Sequence, residues 1–328
     1  MIGTRKVCCV LVAVCFLAQI VAAQGVALPR TRNAALRYWM AFALMQDPPA
    51  DESTQALLEN VAQGRVPWDE PRLGPLIDQN SEAILTMQRA THLPECNWGL
   101  EYDLGSDTPV AHLAKARVMA RLNVLYGMRL AAKHDSAGAV DAWLAGLRFA
   151  RHLAQGGSLI GVLTAKAALL ADFGALTRAV QNGSLDRPSL LRVKAAVQAL
   201  PEYGFDWSQA MSFECYAGEA AIKQLAKSPN PRLIYKRWFA EEPPASFAVP
   251  NSSHVSQWRN LMNQAAAEFR RPHSEAKDRL AKIQRDIAGL NLTLRLMTPS
   301  LTHVEEARGQ VGMARQNLLH AAEPHLRH

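Results

Sequence analysis

TPVAHLAKARVMARLNVLYGMRLAAKHDSAGAVDAWLAGLRFARHL, Thr108 to Leu153, reads as two helices meeting at the turn His134-Asp135-Ser136. In the first, Leu113, Ala116, Ala120, Val124, Gly127 and Ala131 recur three and four apart, and Met119, Leu122, Tyr126 and Leu130 form a second row beside them. An apolar arc that wide belongs to a helix covered on more than one side. Thr108-Pro109 is a helix start by type, a hydroxyl N-cap followed by a proline whose missing N–H costs nothing there. Ser136 is positioned to cap the second helix, which sets Ala139, Trp143, Gly146, Ala150 and Leu153 on one face and stops at Gly156-Gly157.

Gly127, Ala139, Trp143 and Gly146 stand at the spacing of the small and large packing residues of a tetratricopeptide (TPR) hairpin. The stretch resembles about one such 34-residue unit. No second copy follows at that period, so an ordinary antiparallel helix pair is the other reading. Outward from it, the chain breaks into helical segments wherever Gly, Pro and Asn cluster, and no stretch alternates as a strand. The expected fold is all-α, an irregular antiparallel helical array of TPR-like, α-solenoid-like hairpins with a further helical hairpin at the C-terminus.

Upstream, Ala34–Met45 and Asp51–Ala62 read as helices, Gly64–Pro75 as a Pro/Gly-rich connection, Leu76–Ala90 as helix, and His92–Asp107 as a loop of carboxylates and aromatics. Downstream, Ser158–Val180 is the least charged helix, with Lys166, Asp172 and Arg178 its only charges. Lys166 and Asp172 lie six apart, project to opposite sides and are expected to be partly exposed. Ser274 caps a helix running toward Pro299, and Thr302 with Glu305 has the form of a capping box for the last helix. The expected division is a leader at 1–23, a main helical domain at 24–228, a proline-rich linker at 229–251 and a C-terminal helical hairpin region at 252–328.

The leader has the pattern of a signal peptide: Arg5 and Lys6, an apolar run from Val7 to Val21, and the small-residue site Val21-Ala22-Ala23. An export destination, periplasmic or secreted, follows, with a retained membrane anchor as the other reading. Among the later segments Leu159–Leu176 comes nearest to a span, but Lys166 and Asp172 interrupt it. The formal charge of +7, lowered to +5 without Arg5 and Lys6, permits attraction to an anionic glycan or membrane surface and is too small to argue for nucleic acid. Outside the leader only Cys96 and Cys215 remain, a disulfide candidate in an exported chain or two buried free thiols.

No His-Glu-x-x-His or Glu-x-x-His pair, phosphate loop or Gly-x-Ser-x-Gly elbow is present, so neither metal nor cofactor is expected. In the entry loop, Glu95, Glu101 and Asp103 beside Trp98 and Tyr102 could perform acid/base cleavage of a sugar polymer with the aromatics stacked on the rings. The structural alternative anchors Trp98 and Tyr102 in the core and leaves the acids in water. Arg117 and Arg121 lie on a basic helix face, with Lys115, Arg129 and Lys133, that contains no acid. Arg232–Phe239 interleaves cations with aromatics, and Trp238 there is a second candidate contact for a partner or membrane surface.

Cys96-Asn97-Trp98-Gly99 followed by the hairpin resembles a group of exported all-helical bacterial proteins that carry a Cys/Asp-x-Trp-Gly loop ahead of a single TPR-like hairpin. The resemblance implies fold and location, and no activity. In that group the last helix leads into a further tail, whereas this chain stops at His328, which reads as a shortened or altered end. The expected function is an exported scaffold or binding protein that engages a peptide or protein partner in a groove beside the central hairpin. The alternative is a polysaccharide or cell-wall hydrolase using Glu95, Glu101 and Asp103.

Overall fold

Periodicity of three and four, with few β-branched runs, becomes helix almost throughout the computed structural model, which describes residues 31–326. The expected leader at 1–23 lies outside the described residues. Thirteen α-helices and no strand are found among those described. They are α1 (Ala34–Leu44), α2 (Glu52–Ala62), α3 (Glu70–Ala90), α4 (His112–Ala132), α5 (Ser136–Ala154), α6 (Leu159–Gln181) and α7 (Arg187–Gln198). Then come α8 (Trp207–Lys227), α9 (Pro231–Phe239), α10 (Ser252–Glu268), α11 (His273–Ala288), α12 (Leu292–Met297) and α13 (Leu301–Leu326). A 3-10 turn, Tyr102–Asp107, packs on α8.

Helices α4, α5 and α6 pack successively and form the centre, with α13 laid against α6, α7 and α11. Where α4 meets α5, a side chain on Gly127 would overlap the Trp143 indole, which is fully buried and donates from Nε1 to the Val124 carbonyl at 3.3 Å. Glycine on one helix thus makes the slot that the largest side chain of the other fills. Helix α6 is the one helix among the described residues long and apolar enough to cross a membrane, and most of it is buried inside the protein.

Several ends differ from the sequence expectation, each for a local reason. Helix α4 begins at His112, because the Thr108 hydroxyl instead donates to the Glu101 and Gly105 carbonyls and closes the 3-10 turn. Asp135, not Ser136, caps α5, accepting from the Gly138 N–H at 2.9 Å. Helix α3 starts at Glu70 behind the Asp69 cap and carries Pro75 within it, so the expected connection is shorter. The helix expected to run toward Pro299 breaks after Ala288, and Asn291 caps a separate short α12. The Thr302/Glu305 capping box does not form. Glu305 is buried and accepts two hydrogen bonds from the buried Arg308 guanidinium, at 2.8 and 2.7 Å, and lies 2.7 Å from His273 Nδ1.

Asn33–His328 is one compact unit, and its core runs continuously from Ala34 to Ala322. The proline-rich stretch at 229–251 therefore does not divide two cores. Beyond it, Trp258 of α10 is fully buried, and a side chain on Gly218 of α8 would overlap its ring. Cys96 and Cys215 are both buried free thiols, so the disulfide reading of the pair is not what the structure holds.

Candidate functional site

The five cations expected on the basic face of the central hairpin do not share one fate. Arg129 pairs with Glu70 at 2.5 Å and Asp78 at 2.6 Å, Lys115 with Asp47 at 2.7 Å, and Lys133 with Glu70 at 3.3 Å. The acids missing from α4 itself are supplied by α3 and by the turn after α1. Arg129 holds the Glu70 carboxyl down at about 2, first by hydrogen bonding, and holds Asp78 below its ordinary value. Among the described residues Arg117 and Arg121 pair with no carboxylate.

These two side chains border a cleft of about 780 Å³ between α2, α4 and α6. Arg121 donates from Nη1 to Gln55 Oε1 at 2.7 Å, and Arg117 from Nη2 to Thr164 Oγ1 at 3.4 Å. From α6 come Lys166, which donates to Gln310 Oε1 at 2.6 Å, and Arg178, which donates to the Ala62 carbonyl at the end of α2 at 2.8 Å. Arg178 can lie there because Gly64 has no side chain to collide with its guanidinium. Among the described residues none of the four cations pairs with a carboxylate, and Glu59 is the only acid on the lining. Burial pulls Lys166 and Arg178 below their ordinary values. The floor is apolar and mostly small, including Ala120, Val124, Ala168, Ala171 and Gly174. Small side chains on α6 at this spacing keep the cleft open, whereas large ones would fill it. The lining presents hydrogen-bond donors and positive charge around an apolar bed.

The entry loop is arranged differently from the expected sugar site. Trp98 is buried between Tyr38 and Phe42 of α1 and His112 of α4, with ring centroids at 5.6, 6.3 and 4.4 Å. Its indole donates to the His152 carbonyl at 2.9 Å. That position leaves it no face for a ligand and corrects the binding expectation for Trp98. Tyr102 stacks on Phe213 at 4.6 Å. Glu95, Glu101 and Asp103 are exposed. The Glu95 backbone accepts from the Ala34 N–H at 2.7 Å, and Asp103 accepts from the Tyr216 hydroxyl in a cleft of about 240 Å³ that contains neither Glu95 nor Glu101. Trp238 is half-buried on α9, its indole N–H buried without an acceptor among the described residues.

Sequence reasoning picked out Arg117 and Arg121 and missed their companions Lys166 and Arg178, whose neighbours on α2 and α13 lie more than a hundred positions away. The signal available was the charge economy of α6, three ionisable side chains in an apolar helix. One of the three goes against expectation: Asp172 is 1% exposed, facing Gly146 of α5, whose missing side chain gives the carboxyl its space. Burial pushes that carboxyl well above its ordinary value. Comparison with protein-family models, curated proteins and solved structures finds no match to this chain.

Proposed function

We propose that the chain is an exported α-helical binding protein that takes an acidic segment of a partner peptide or protein into the α2/α4/α6 cleft. The observation that carries the reading is the set of four cations, Arg117, Arg121, Lys166 and Arg178, that border an apolar bed with no carboxylate among their partners in the described residues. Donors of one sign, with Lys166 and Arg178 partly desolvated, favour an occupant of the opposite sign, and the electrostatic match sets which segment binds more than how tightly. The close Gly127–Trp143 approach is compatible with a TPR-like hairpin as the scaffold, because it holds α4 rigidly against α5. The Arg5-Lys6, Val7–Val21 and Val21-Ala22-Ala23 pattern supports export, with cleavage leaving Gln24 as the first residue.

The test is affinity capture from an extracytoplasmic extract with the wild-type protein and an Arg121→Glu/Lys166→Glu variant in parallel. A partner recovered by the wild type and lost by the variant is the expected result. Recovery of none, or equal recovery by both proteins, removes the cleft reading.

A further inference from the structure

Helix α1 has two faces of the same chemistry. Ala34, Tyr38, Ala41 and Phe42 are buried, as an inward face must be. On the outside, Leu36, Trp39, Met40 and Leu44 are 58, 43, 60 and 42% exposed, at helical spacing along the whole element. Elsewhere among the described residues the large exposed apolar side chains are fewer on any one helix: Leu191 on α7, Leu233 on α9 and Met313 on α13 stand singly, and Ile160 with Leu163 makes a pair on α6. Exposed apolar side chains are ordinary one at a time, and a continuous stripe is not.

The charge on α1 itself has one sign, and the carboxylates at its two ends are Glu95, whose backbone meets Ala34, and Asp47, which pairs with Lys115. Arg37 is the only charged residue of α1, and the first carboxylate of the whole sequence is Asp47, just beyond the end of the helix. Ahead of it in the chain beginning at Gln24 stand Arg30, Arg32 and Arg37. A protein partner for such a stripe would need only an apolar face. An anionic bilayer satisfies both features together: the interface takes up Trp, Leu and Met to the depth of the acyl boundary, and arginines at the headgroup level meet phosphate.

We infer that the outer face of α1 rests on an anionic phospholipid bilayer, with Leu36, Trp39, Met40 and Leu44 inserted and Arg37 at headgroup level. One short stripe with a few cations gives reversible, salt-sensitive attachment. It holds the protein against a membrane without spanning it. The attachment is independent of the cleft, which is built from other helices.

The experiment is flotation of protein beginning at Gln24 with vesicles of phosphatidylethanolamine and phosphatidylglycerol, and with vesicles of phosphatidylcholine alone. The core of the described residues lies within Asn33–His328, so this form keeps it. Binding to the anionic vesicles that weakens with salt is expected. Leu36→Glu/Met40→Glu is expected to weaken it by roughly tenfold or more, since a charge replaces each inserted side chain. Leu191→Glu, equally exposed elsewhere, and the cleft variant Arg121→Glu/Lys166→Glu keep it. Thermal melts of all variants report folding, and Leu36→Gln/Met40→Gln serves if the double glutamate unfolds. The inference is overturned by absence of flotation, by unchanged binding in a folded stripe variant, or by an equal loss in Leu191→Glu. It is also overturned if the lipid-free protein sediments as a dimer that the stripe substitutions split, because a second copy is then the occupant.

Discussion

Replacing Asp172 by asparagine should change the pH dependence of stability in a calculable way. The side chain is buried against Gly146, its Oδ1 has no hydrogen-bond partner among the described residues, and desolvation alone pushes its carboxyl up. In the unfolded chain the group titrates near its ordinary value of 3.8. Below that pH both states hold the proton and the group adds no pH dependence. Above it, the unfolded chain releases a proton that the folded chain keeps, so stability falls as pH rises until the folded group also ionises. The slope is about 1.4 kcal/mol per pH unit for one proton. Asparagine has nothing to release. The stability difference, variant minus wild type, should therefore be flat below pH 3.8, climb by that slope above it, and level off at the folded value. Urea unfolding followed by tryptophan fluorescence, with wild type and variant measured at matched pH from acid to neutral, gives the difference directly, because all other titrating groups cancel. A difference that stays level between about pH 4 and 6 would mean that Asp172 is ionised in the fold, and the reasoning from burial would be refuted.

Three further outcomes follow from the packing. Glu305→Ala strands the Arg308 guanidinium, which is 1% exposed, and should cost about 3–5 kcal/mol by denaturant unfolding; a loss under 1 kcal/mol, on the order of an exposed pair, would show that water reaches the guanidinium. Gly127→Val drives a side chain into the Trp143 indole and should destabilise by about 1–3 kcal/mol or more, with Trp143→Leu in the same chain recovering part of the loss; no loss in the single variant would mean that α4 and α5 are not in close contact. Burial pushes the Cys96 thiol up to about 12 and the Cys215 thiol up to about 11, so both should react slowly with a thiol reagent in native protein and both should label in denaturant without reductant, whereas two thiols unlabelled until reduction would establish a disulfide.

The central hairpin was legible because its pattern is local: apolar residues three and four apart, two small residues opposite a tryptophan, and a turn between. Helix ends were less legible because caps are contested. Thr108 has the right hydroxyl for a helix start and uses it on the carbonyls of a turn behind it. Glu305 has the right spacing for a capping box, but a buried arginine one turn along binds it more strongly. Trp98 in a loop of acids looked available for a ligand, and only the arrival of α1 and α4 from opposite directions in the chain encloses it. For the cleft, an acid-free row on α4 named five cations, and the sequence could not say which would be neutralised. Glu70, Asp78 and Asp47 settle that from outside the hairpin, leaving Arg117 and Arg121. Asp172 was misjudged for a related reason, since the glycine that makes room for it sits on a different helix.

The most direct test of the cleft is selection of phage-displayed random peptides on the immobilised protein, followed by binding of the enriched peptides to wild type and to Arg121→Glu/Arg178→Glu. The proposal predicts enrichment of sequences carrying Asp or Glu beside apolar residues, with affinity that falls as salt rises and is lost in the charge-reversed variant once its fold is verified by circular dichroism. Enriched peptides without acidic residues, or peptides that bind the reversed cleft as well as the native one, would contradict it.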